Sequence, residues 1–192
     1  MLFEAYLPWL AHPQVRRARE RLRALPWVRS EGGAVAVEFA IVAMPFIFII
    51  FSVFELTLIL LIYSTLENGM GDAARTIRTG SLQTGGGATA TTFRNAICNN
   101  LGWLQADCQA KLQVDVRTMA QFTNPSQPDP YSTGTFDATK TQFTPGAQGS
   151  IVLVRAWYPW PLILPSMNNA LSRSGNGIAL IQATTTFKNE SY

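Results

Sequence analysis

The sequence predicts an α+β protein: a long N-terminal membrane-spanning helix followed by a small outer domain with an antiparallel sheet and short helices. Three observations predict it. Residues 39–63 form an apolar run interrupted by one ionisable group, Glu55. Further along, short alternating apolar stretches replace the helical pattern. Charge is lopsided: Arg16, Arg17, Arg19, Arg21, Arg23 and Arg29 precede the run, against Glu4, Glu20 and Glu31. The remaining charges balance, so the net +3 of this 192-residue chain resides in its first 33 residues. Charged residues are only 14% of the chain and hydrophobic ones 47%, which argues against disorder and against an ordinary soluble globule. Nucleic acid is not expected as a partner, because the remainder of the chain carries no basic excess.

Residues 1–33 read as a basic leader and 34–63 as the transmembrane helix. As a helix, residues 39–63 would extend ~38 Å, more than a ~30 Å hydrocarbon core requires. Apolar side chains occupy every face, so no stripe exists to dock on a soluble core. A buried core helix is the alternative, but little chain remains to wrap it. Only Arg75 and Arg78 follow the run closely, beside Glu67 and Asp72. The positive-inside rule therefore places the N-terminus in the cytoplasm and residues from about 64 onward outside. A secretory signal has a much shorter apolar region. Pro45, within the run, predicts a kink or local loosening.

The junction before the run is physically odd in two ways. Gly32 and Gly33 separate the basic stretch from the helix, where an extended backbone would be accessible to a protease. Glu38 then stands at the head of the apolar run. A carboxylate in lipid costs ~2.5–3.5 kcal/mol at depth and less near the interface. It needs a charge partner or must snorkel to the interface. The second acid, Glu55, lies ~26 Å further along a helix and about 100° around it. A packed or interfacial role suits it, with contact to another subunit as the functional reading.

Gly33, four residues, Glu38 and Phe39 after a basic leader resemble the type IV prepilin motif. The resemblance implies cleavage after Gly33 by a membrane prepilin peptidase on the cytoplasmic side. Ala34 becomes the mature N-terminus, and Glu38 pairs with the terminal amine of a neighbouring subunit. Val37-Glu38-Phe39-Ala40, Pro45, Glu55 and the run from Ala73-Ala74-Arg75 to Gly80 resemble the TadE-like family of the tight-adherence (Tad, Flp-pilus) machinery. Tyr158–Pro165 and Phe187–Glu190 resemble that family's tail. The long leader, apolar and aromatic over Met1–His12, departs from it. The resemblance implies a minor pilin or pseudopilin taking part in pilus assembly. Its partners are other pilin subunits, the peptidase, the pilus assembly platform and membrane lipid. It implies a single-pass inner-membrane protein with a periplasmic C-terminal domain, or one carried into an extracellular pilus. The alternative is an unprocessed bitopic protein whose outer domain binds a ligand or partner.

Residues 64–80 extend the helix, with Leu66, Met70, Ala73, Ala74 and Ile77 on one stripe. Gly69 and Gly71 each weaken it by ~1 kcal/mol relative to Ala, and Gly80 is a plausible stop. The domain, 81–192, opens with a glycine loop at 85–87. A short helix follows over Thr91–Leu101, with Phe93, Ile97 and Leu101 in register. Cys98 and Cys108 predict a disulfide in an oxidising compartment, worth ~3 kcal/mol for so short a loop. His12 is the sole histidine and lies in the leader, so no metal site is expected. No cofactor motif or catalytic constellation stands out, and the chain is not read as an enzyme. Strands are expected over Leu112–Thr118, Ile151–Ala156 and Gly177–Phe187. Between them, 123–149 is a long loop or a poorly ordered excursion. Trp157, Tyr158 and Trp160 with Pro159 and Pro161 either pack the domain against the long helix or form an exposed patch.

Overall fold

The computed structural model describes residues 31–122, 127–173 and 176–192. Most of the leader, Met1–His12 included, lies outside the described residues. The chain divides into two compact units, with the boundary between Ile50 and Phe51. A single helix, α1 (Glu31–Arg78), has residues in both.

In the first unit the described residues are helical throughout. Pro45 does not interrupt the helix. Gly32 and Gly33 lie inside it, so the expected extended stretch is helical instead. The side chains here are bare: Phe39 is 73% exposed and Met44 74%. That exposure rules out the buried core helix, and the segment is long and apolar enough to cross a membrane. The protein is membrane-anchored.

The second unit carries the fold's core. Two short helices and a longer one follow α1: α2 (Ser81–Thr84), α3 (Ala90–Asn99) and α4 (Gln105–Lys111). Thr89 caps α3 by accepting a hydrogen bond from the Thr92 amide. A three-stranded antiparallel sheet comes next, in the order β1 (Gln113–Met119), β2 (Ile151–Pro161), β3 (Ile178–Lys188). A short helix, α5 (Asn168–Leu171), lies between β2 and β3.

One face of the sheet joins the core. Val114 and Val116 of β1 lie opposite Ala156 and Val154 of β2, which lie opposite Ala183 and Thr185 of β3. Ile62, Leu66, Met70, Ala73 and Ile77 of α1 complete this cluster with Phe93 and Ile97 of α3. The predicted stripe is therefore buried, and it begins earlier than expected, at Ile62. Gly69 serves the packing: a β-carbon there would meet the Ile97 carbonyl at 3.0 Å and Leu101 Cδ1 at 3.1 Å. Gly80 ends α1 at φ 77°, with the Tyr192 ring where a β-carbon would stand. The chain's end also binds the helix end, through Glu190 N–H to the Arg78 carbonyl at 2.9 Å.

The 127–149 segment, within the long loop expected from the sequence, packs on the opposite face at Arg155 and Trp157 and pairs along the outer edge of β1. It has no long regular element, but it is tied down. Phe143 bridges Val116, and the Gln142 amide donates to Asp115 Oδ1 at 2.7 Å. Asp115 is fully buried and held by Arg117 at 2.8 Å and Arg155 at 2.7 Å. Arg155 also donates to the Pro128 carbonyl and lies over the Trp157 ring. A buried carboxylate with two guanidinium partners and an amide is fully satisfied, which is what allows it to be buried.

Candidate functional site

The sequence nominated Gly33, Ala34, Glu38, Phe39 and Glu55, together with the cysteines. The first four lie near the start of α1. Glu38 is exposed, and no described residue pairs with it. Phe39, the next residue, is bare as well. An acid at the head of a lipid-exposed run is thus left without a partner in the described single chain.

Glu55 is in the opposite situation. Its exposure is 1%. The Ile163 amide donates to Oε1 at 2.7 Å and the Leu164 amide to Oε2 at 2.8 Å. Both carboxylate oxygens are therefore engaged within the chain. Within the chain the Glu55 carboxylate is held in a local hydrogen-bonded clamp. Two backbone donors hold a buried carboxylate well, because amide–carboxylate bonds are charge-assisted.

Cys98 and Cys108 are joined, with Cα atoms 5.6 Å apart. The bond links α3 to α4, and both cysteines are in the core cluster. Beside it, Asp107 receives the Tyr158 hydroxyl and pairs with Lys111 at 2.7 Å. Lys111, followed by Tyr158, holds the Asp107 carboxyl below its ordinary value. Burial, followed by Asp107, pushes the Tyr158 hydroxyl well above its own. Neither shift yields a group that titrates near neutrality, so the pair locks α4 to β2.

The aromatic stretch divides by strand alternation. Trp157 and Tyr158 are buried on opposite sheet faces, and Trp160 is half-buried at the strand end. Packing is the role of the first two. A groove of about 510 Å³ runs beside α1 and β3, lined by Ala74, Arg75, Arg78, Thr185, Phe187 and Glu190. Among the described residues, no group of His, Cys, Asp or Glu could hold a metal ion.

Sequence reasoning missed two features. The Asp115–Arg155 pair had a faint signal, opposite charges inside two apolar strands. The Glu55 clamp had none, since its donors are backbone amides 108 and 109 residues away.

A family model described as TadE-like protein matches residues 33–75. The match begins at Gly33, includes Glu38, Phe39, Pro45 and Glu55, and ends at Arg75. No curated protein and no solved structure matches the chain.

Proposed function

We propose that this TadE-like chain is a minor pilin or pseudopilin of a Tad-type pilus assembly system, processed after Gly33 and acting without enzymatic activity of its own. The association with such a pilus system follows from the family match. The observation that carries the finer reading is Glu38, without a partner among the described residues, at the head of a bare apolar helix. Cleavage after Gly33 would create a free amine at Ala34. On a helix that amine stands only about a turn from Glu38 of its own chain, or within reach of Glu38 on a neighbour packed alongside. An ion pair between chains would give the acid of one subunit the amine of the next, so that part of its cost in lipid is recovered on assembly. Other pilin subunits, the prepilin peptidase and the assembly platform are the partners in this reading, and the domain stands on the periplasmic side.

The test is the N-terminus of native material. Mass spectrometry should return a mature chain beginning at Ala34, and Gly33→Leu should leave it uncut. Glu38→Ala should be cut normally yet fail to enter the assembly. A chain still carrying Met1 would favour the second reading, an unprocessed bitopic protein with a partner-binding outer domain. That reading draws on the helix continuing through Gly32 and Gly33, since a peptidase would have to unwind it.

A further inference from the structure

The Glu55 clamp places a loop where a lipid surface would be. A bilayer core needs ~20 helical residues, and counted from Phe39, just past the Glu38 carboxylate, they reach Leu58. Glu55 lies within the last turn of that length. Its carboxylate grips the backbone of Ile163 and Leu164, so this loop sits at the helix level where the bilayer ends. Ile163 itself points outward, 55% exposed. Around it α1 remains apolar, with Leu60 66% and Leu61 51% exposed.

The surroundings match a membrane interface. Trp160 is the next-to-last residue of the strand that feeds the loop, and Trp103, 69% exposed, meets it edge-on with ring centroids 6.5 Å apart. Tryptophan favours the headgroup level of a bilayer. No Asp, Glu, Lys or Arg occurs between Arg155 and Arg173, so approach to lipid desolvates no charge on this segment. The Glu55 carboxylate is already covered by the loop.

We propose that the Leu162–Leu164 loop, with Trp103 and Trp160, is a second membrane contact: it seats in the headgroup and upper acyl region of the leaflet from which α1 emerges. The occupant of this surface is phospholipid, held by apolar insertion and not by charge. The proposal rests on α1 crossing the bilayer and is independent of leader processing. Its effect is to fix the domain's tilt on the membrane, which a single helix alone would leave free.

The test uses the full chain in liposomes of phosphatidylethanolamine and phosphatidylglycerol, with single cysteines introduced as Met44→Cys, Ile163→Cys or Ser191→Cys. The native cysteines are joined to each other, so a polarity-sensitive fluorophore goes to the new one. Lipids spin-labelled near the headgroup should quench the Ile163 position at least twofold more than Ser191, and iodide should show the reverse order. Raising salt should leave the pattern unchanged. Brominated lipids should quench native tryptophan emission, less so in Trp103→Phe. Met44, inside the span, is the control for the span itself and is read with lipids brominated deep in the acyl chains. If Met44 is not lipid-quenched, the membrane-spanning premise fails. If Met44 is quenched and Ile163 is open to iodide, the loop contact is wrong. Protection of Ile163 from both quenchers would also overturn it, in favour of a second copy covering the loop.

Discussion

Two stretches of one helix, Val35–Phe54 and Glu55–Arg78, face opposite tasks. The first is bare on all sides, and its acid, Glu38, has no partner among the described residues. The second buries one stripe against a sheet, and its acid, Glu55, is closed off by two amides. The contrast teaches that hydrophobicity alone does not say what covers an apolar helix. In the second stretch the cover comes from the chain itself. In the first it must come from lipid or from other subunits. The two glutamates mark the same division: one is satisfied by folding, and the other has no partner among the described residues.

The largest effect that could break this contrast concerns packing. Leu66→Ala should cost the domain ~2–5 kcal/mol, because Leu66 is fully enclosed in the core. Ile47→Ala, in the bare stretch, should leave domain stability within ~0.5 kcal/mol, as surface substitutions usually do. Urea unfolding in detergent micelles, followed by near-ultraviolet circular dichroism from the buried Trp157 and Tyr158, measures both. Equal losses would mean that the two stretches are not distinct.

The acids come next. Glu55→Gln keeps the side chain's size but replaces one acceptor with a donor facing an amide. It should cost ~1–3 kcal/mol and speed hydrogen exchange at the Ile163 and Leu164 amides. Glu38→Gln should change neither observable. A smaller pair of effects, opposite in sign, sharpens the comparison within the second stretch. Gly69→Ala should destabilise, since its β-carbon presses on the Ile97 carbonyl and Leu101. Gly71→Ala meets nothing within 4 Å, so helix propensity should prevail and add up to ~1 kcal/mol. Thermal midpoints decide the signs.

The smallest effect is electrostatic and confined to the domain. Asp107 has a lowered pKa when folded, so its contribution is complete above the unfolded value of 3.8 and is lost as pH falls through the folded one. The Asp107–Lys111 pair is about two-fifths exposed, and solvent screening keeps the contribution to ~1 kcal/mol or less. Asp107→Asn should flatten the acid limb of the stability–pH curve by that amount and leave neutral-pH behaviour of the Val35–Phe54 stretch untouched.

Much of the domain is legible in the residue order. Phe93 and Ile97 share a helical face because they are four residues apart, and Val114 and Val116 share a strand face because they are two apart. Both patterns are local, so spacing reveals them. The cysteine pair is legible for a similar reason, a short loop and no other cysteine. The 127–149 segment is opaque. Its order depends on Asp115, Arg155 and Asn189, whose partners include the carbonyls of Pro128 and Pro145 and the Gln142 amide. Backbone groups of that kind carry no residue signature.

By itself the sequence determined that an apolar helix long enough for a bilayer precedes a disulfide-bonded α+β domain, because length, periodicity and composition are properties of neighbouring residues. It also determined that Glu38 and Glu55 stand in apolar surroundings, where each needs a partner or must reach the interface. Only the tertiary structure decided that Glu55 finds its partner inside the chain, and that the domain's core reaches back along α1 to Ile62. The physical reason is that a buried carboxylate is satisfied by whatever donors the fold brings within about 3 Å, and here the donors are amides from the far end of the chain, which any residue but proline could have supplied.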